Sequence, residues 1–209
     1  MTGLLLKDLF ISKKYLRTMS ILILLYAVLF SVIGQGDSSF LSSFILILCA
    51  FFIATTFSCD ELARWDKYAL TFPVTRSMVV RAKYATSILF TLAGAAVASL
   101  FTGLSGFFHH KAVDPEMWMS IFVLFCLVLF FEALALPLLY RFGPEKGRYL
   151  LIGMMVLVVL AFVLADKSGE VQISDEQLKG IFIALLPAGI IFLLFSYGIS
   201  CRIYKNKEF

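Results

Sequence analysis

Few side chains in this sequence are equipped for chemistry, and their spacing decides which chemistry is open to them. Glu132 lies inside an apolar run from Trp118 to Tyr140, an unusual place for an acidic residue. An ionised carboxylate there is costly, so it is expected to face a bundle interior or a cavity, to pair, or to take a proton. That makes it a candidate for a translocation path, an assembly axis or a polar tie between helices. His109 and His110 are adjacent, with Lys111 beside them. A metal site needs further ligands at suitable spacing, and neighbouring side chains on a helix point about 100° apart, so neither a metal nor a catalytic role is expected. Intramembrane proteolysis would need paired glutamates and histidines at membrane depth to activate water, whereas these histidines sit between apolar runs. No Gly-x-x-x-x-Gly-Lys-Ser/Thr phosphate loop occurs, so the chain is not expected to bind ATP or any other cofactor itself. Cys49, Cys59, Cys126 and Cys201 lie in or at the ends of apolar runs and read as small core residues rather than a disulfide framework.

The elements that must position these residues are membrane helices. Of 209 residues, 61% are apolar and 15% charged, against about 25% charged in a soluble domain, and the mean hydropathy is +0.94. A soluble fold of this size could not hide so much apolar side chain. A span needs about 20 mainly apolar residues, and six runs qualify, at about 19–33, 40–58, 84–106, 118–140, 149–165 and 180–201. All are expected to be helical, because open strand edges cannot be satisfied in lipid. The first run reads as a retained span rather than a secretory signal. The fold expected is therefore an all-α polytopic membrane protein, with residues 1–209 forming one transmembrane domain.

Fifteen of the eighteen basic residues fall on one side of such a bundle: Lys7, Lys13, Lys14 and Arg17; Arg64, Lys67, Arg76, Arg81 and Lys83; Arg141, Lys146 and Arg148; Arg202, Lys205 and Lys207. The other side receives Lys111, Lys167 and Lys179, together with Asp37, Asp114, Glu116, Asp166, Glu170, Asp175 and Glu176. The positive-inside rule then places both termini in the cytoplasm. The net charge of +4 does not indicate nucleic acid, since the basic residues are dispersed between spans rather than gathered on one face. The outer connections at 34–39, 107–117 and 166–179 leave no ectodomain.

Two cytoplasmic segments carry pattern. Before the first span, Leu5, Leu9 and Leu16 fall within about 40° of one another on a helical wheel, away from Lys7, Lys14 and Arg17. This predicts an amphipathic helix lying in the interface against membrane lipid. Between spans two and three, Leu62, Trp65, Ala69 and Phe72 form one helical stripe. Asp60 and Glu61 are expected at its N-terminus, favoured by the helix dipole, and Pro73 is expected to end it. Interleaved aromatics and charges favour a protein partner over simple headgroup anchoring. Within the spans, Pro137, and Pro187 with Gly189, are candidate kink sites.

The string Asp60-Glu61, Trp65, Tyr68, Leu70 to Arg76, Val80 and Lys83-Tyr84 resembles the cytoplasmic signature of small bacterial permease subunits of type-2 ABC exporters. The run Leu136 to Arg148 resembles the same family's loop between spans four and five, with Pro144 where a small residue is usual, and Gly3 to Asp8 resembles its start. The resemblance covers essentially the whole chain. It implies a permease in the bacterial cell membrane, working as a homodimer or heterodimer with separate ATPase subunits that bind ATP and Mg. The segment from Asp60 to Phe72 would be the coupling helix, with Glu61, Trp65, Tyr68 and Arg76 transmitting motion. ATP-driven alternating access would move an amphipathic or hydrophobic cargo, a peptide being preferred, out of the cytoplasm or inner leaflet. Two other classes stay open: a membrane scaffold or immunity protein that sequesters a peptide without an ATPase, and an intramembrane enzyme.

Overall fold

With no water to satisfy backbone groups in lipid, apolar segments are driven into helices. The computed structural model contains α1 (Thr2–Ile33), α2 (Ser38–Leu62), α3 (Trp65–Ala69), α4 (Arg76–Phe108), α5 (Pro115–Ser168) and α6 (Asp175–Lys205). It describes residues 2–33, 38–69, 71, 74–108, 115–168 and 175–207, without the side chains of 26–33, 38–41, 157–183 and some single positions. No strand occurs among the described residues. Four described segments are long and apolar enough to cross a membrane: Ser42–Leu62, Arg76–Phe107, Met117–Gly153 and Ala184–Lys205. The chain is thus a helical, multi-pass membrane protein. Of the spans expected at 19–33 and 149–165, the backbone is helical, but most of the side chains lie outside the described residues. His109, His110, Phe72 and Pro73 also lie outside them.

The N-terminal segment differs from expectation. Thr2–Ile33 is one uninterrupted helix rather than a separate surface helix followed by a span, because no proline or glycine interrupts residues 4–33. Its apolar face, including Leu6, Leu9, Phe10 and Leu16, is exposed, while Asp8 is buried. In lipid this polarity is the favourable one, since an acidic side chain must find its partners inside the bundle.

Helix α5 is two helical segments joined at Gly143, whose φ of 77° and ψ of 169° lie outside helical space. That backbone region is essentially restricted to glycine. Pro144 follows as the first residue of the second segment, where its fixed φ is favourable and its missing N–H costs nothing. Pro144 is therefore well placed. A Cβ at position 143 would also lie 3.4 Å from Glu61 Oε1. Gly143→Ala is expected to lower stability by about 1–3 kcal/mol, read as a fall in melting temperature in detergent. Pro137 and Pro187 sit inside α5 and α6, and the non-helical backbone within α5 falls at Gly143 rather than at Pro137.

Helix α2 packs between α4 and α5, and α5 packs along α6. The approach of α4 to α2 depends on Gly94, where a Cβ would come 2.7 Å from Cys49 Sγ. At the basic end the core joins Phe57, Val80, Leu136, Leu139, Tyr140 and Tyr204. Tyr140 meets Phe57 edge-on at 4.9 Å and Tyr204 at 5.4 Å, which binds α2, α5 and α6 together. Toward the other end, Ile45, Leu46, Ala98 and Ile121 form a smaller cluster, and the hydroxyls of Ser42 and Thr102 are 2.6 Å apart. Leu92, Leu100, Leu127, Ile191, Leu194 and Phe195 face outward, as lipid-facing side chains should.

Candidate functional site

The connection between α2 and α4 is built differently from the sequence expectation. Asp60 and Glu61 occupy the last turn of α2, not the first turn of a coupling helix. After them the backbone turns at Arg64, whose φ of 47° is left-handed, and Arg64 N–H donates to Glu61 O at 3.0 Å. A left-handed residue is a common helix terminator. Only Trp65–Ala69 then form α3, so the expected stripe is broken: Ala69 is buried and Trp65 packs on the core, but Leu62 is 85% exposed. Tyr68 is 61% exposed. Tyr68 O accepts from both Thr71 N–H (3.0 Å) and Thr71 Oγ1 (2.8 Å), which closes the α3 turn.

Two acidic residues at a helix C-terminus oppose its dipole, and the compensation comes from other elements. Asp60 Oδ1 accepts from Lys7 Nζ of α1 and Asp60 Oδ2 pairs with Lys83 Nζ of α4, each at 2.7 Å. Asp8 Oδ1 lies 3.1 Å from Lys83 Nζ and 3.3 Å from Lys7 Nζ, and Thr86 Oγ1 donates to Asp8 Oδ2 at 3.3 Å. Two cations and two anions from three helices thus form one largely buried, formally neutral cluster. Geometry of this quality is what such a buried pairing needs to offset desolvation. Lys7 Nζ also lies 4.2 Å from the Trp65 ring centroid and Lys83 Nζ 5.2 Å from that of Phe57, both within cation–π range. Through Lys7, α3 is therefore tied to α1.

Beside the cluster is a cavity of about 80 Å³ whose walls include Phe57, Asp60, Trp65, Lys83, Tyr140 and Lys207. Glu61 lines it next to Gly143 and Pro144, where a carboxylate stands near the N-terminus of the second α5 segment and is favoured by that helix's dipole. Helix α4 begins with Thr75 as cap, its Oγ1 accepting from Met78 N–H at 3.3 Å. Arg76 turns toward the end of α6, donating to the carbonyls of Lys205 and, at 3.4 Å, Lys207. The Lys205 carbonyl is one of the orphan acceptors of the α6 C-terminus.

Of the residues singled out in the sequence, Asp60, Glu61 and Trp65 converge on one cavity. Tyr68 points outward, and Arg76 braces α6. Glu132 is elsewhere, inside the bundle, where Thr91 Oγ1 donates to its Oε1. Residues not predicted to belong together are Lys7, Asp8 and Lys83, with Tyr140 and Tyr204 behind them. The signal for the first three was present. Asp8 is a lone acidic residue among the basic residues before the first span, and Lys83 stands at the start of a span. Lysines in such places also arise simply from membrane orientation, so their spacing alone does not reveal the pairing.

A family model described as ABC-2 family transporter protein matches residues 3–205. No curated protein matches the chain, and no solved structure does.

Proposed function

Since the chain belongs to the ABC-2 transporter protein family, we propose that it is the membrane-spanning permease subunit of an ATP-driven exporter, with six spans and both termini cytoplasmic. A separate ATPase subunit, carrying the ATP and Mg, docks on the α2–α4 connection. A second permease copy, identical or related, completes the path. The cargo is amphipathic or hydrophobic, a peptide being the preferred class, as the family resemblance implies.

The observation that carries this reading is a protruding element with a braced root. Leu62 and Tyr68 stand exposed on the connection, while Asp60 and Trp65 beside them are held by Lys7 and Lys83. A push delivered to the exposed residues is thereby passed to α1, α2 and α4 together rather than absorbed by a loose loop. Binding of ATP can shift the permease only through a contact that differs between the two states, and this element is suited to be that contact.

Replacing Leu62 and Tyr68 together by alanine tests it. Tyrosine is enriched among residues whose truncation costs 2 kcal/mol or more in binding, so association with the cognate ATPase is expected to weaken roughly 30-fold or more. The melting temperature should not move, as both side chains are exposed. Unchanged copurification and unchanged transport would defeat the assignment.

A further inference from the structure

Glu132 plays no part in the docking reading. Its side chain is fully enclosed, 0% exposed; Oε1 accepts from Thr91 Oγ1, and Oε2 has no hydrogen-bond partner among the described residues. Helix α5, which carries it, packs against α2, α4 and α6. Cys49 on α2 lies close enough to Glu132 to interact with it; the other buried or half-buried titratable groups along these faces are Tyr84 on α4, Tyr197 and Cys201 on α6, and Cys126 and Tyr140 on α5 itself. None of them supplies a positive charge. The buried cation on α4 is Lys83, eight residues before Thr91, about 12 Å along the helix axis, and it is already engaged by Asp8 and Asp60.

A carboxylate met only by the hydroxyls of Thr91 and Ser87, with no counter-ion among the described residues, is a costly occupant of a bundle interior. The neutral acid needs no counter-charge. Enclosure also limits the ligand: a metal ion or an organic cation would need room and further oxygen donors, whereas a proton needs neither. Buried hydroxyls line one side of α4. Lys83, Ser87 and Thr91 follow one another at four-residue spacing on one face, with Thr86 beside them donating to Asp8. Thr86, Ser87 and Thr91 are all buried, so the hydroxyls form a column from the charged cluster to Glu132.

We propose that Glu132 is a proton-binding site, occupied in this packing and emptied toward the basic end of the bundle along Thr91, Ser87 and Thr86 when the helices open. On release the O–H bond of the carboxyl breaks, the electron pair stays on the carboxylate, and the proton passes to water. A proton that binds the closed packing better than the open one shifts the equilibrium toward the closed one. Permease opening is thereby linked to proton release, whichever partner drives it.

Infrared spectroscopy of the full-length permease in lipid vesicles at neutral pH tests this without an ATPase or cargo. The spectrum should contain the carbonyl band of a protonated carboxylic acid, displaced in D2O. Glu132→Gln, which matches the neutral acid in shape, should abolish that band. Absence of the band from the wild-type spectrum, or its persistence in Glu132→Gln, overturns the proposal. Thr91→Val gives an independent arm should the glutamine variant not fold: loss of the donor to Oε1 should displace the band, and an unmoved band overturns the assignment to Glu132.

Discussion

Replacing Lys83 by methionine should cost the permease about 3–5 kcal/mol of stability, the penalty expected when one partner of a buried ion pair is removed. The reason is local. Lys83 is 5% exposed and contacts both Asp8 and Asp60, so its loss leaves two buried carboxylates to share Lys7. Lys7→Met should cost less, because Lys7 is 19% exposed and its loss leaves Asp8 and Asp60 still paired with Lys83. Replacing all four charged residues together by apolar residues of similar volume should come out near neutral or even stabilising. Denaturant unfolding in micelles would measure the series. Equal losses for Lys7 and Lys83 would contradict the burial argument. A four-fold variant that is stable but no longer couples would show that the cluster is kept for transmission rather than for stability.

Trp65→Ala should uncouple the transporter. Trp65 packs on the core of the bundle beneath Lys7, and it forms one wall of the 80 Å³ cavity. Its removal frees α3 from α1 while leaving the exposed Leu62 and Tyr68 in place. The ATPase should still bind, but cargo moved per ATP hydrolysed should fall about tenfold or more, a coupling loss of roughly 1–3 kcal/mol. Adding Glu61→Ala should deepen the loss, because Glu61 stands beside Gly143, where the two segments of α5 meet. Transport and ATP turnover measured together in reconstituted vesicles decide it. A double variant that keeps the wild-type ratio would remove Trp65 and Glu61 from the transmission path.

The contrast between the two ends of the α2–α4 connection shows what could be read early. That the segment around Asp60 to Tyr68 stands apart was legible, because it gathers charged residues with one of the chain's two tryptophans between apolar runs. Its local geometry was not. A helical wheel assumes that the helix continues, and the left-handed turn at Arg64 turns Leu62 outward while Ala69 goes in. Asp60 looked like a helix start by its charge. It is a helix end held in place by two lysines distant in sequence. The same applies to Pro144, an oddity in the string but a natural first residue after Gly143.

What the sequence determined by itself is the solvent, the helical class and the family. Apolar runs near 20 residues permit little besides membrane helices, and motif strings recur at 3–8, 60–84 and 136–148. Those are local properties, set by composition and by neighbours a few residues away. Only the tertiary structure decided that Lys7, Asp8, Asp60 and Lys83 form one cluster and that Glu132 is enclosed with one oxygen unpartnered among the described residues. Charge pairing depends on the few ångströms separating atoms on different helices. Such separations are set by how the helices pack, as at Gly94 against Cys49, and no periodicity along a single helix encodes them.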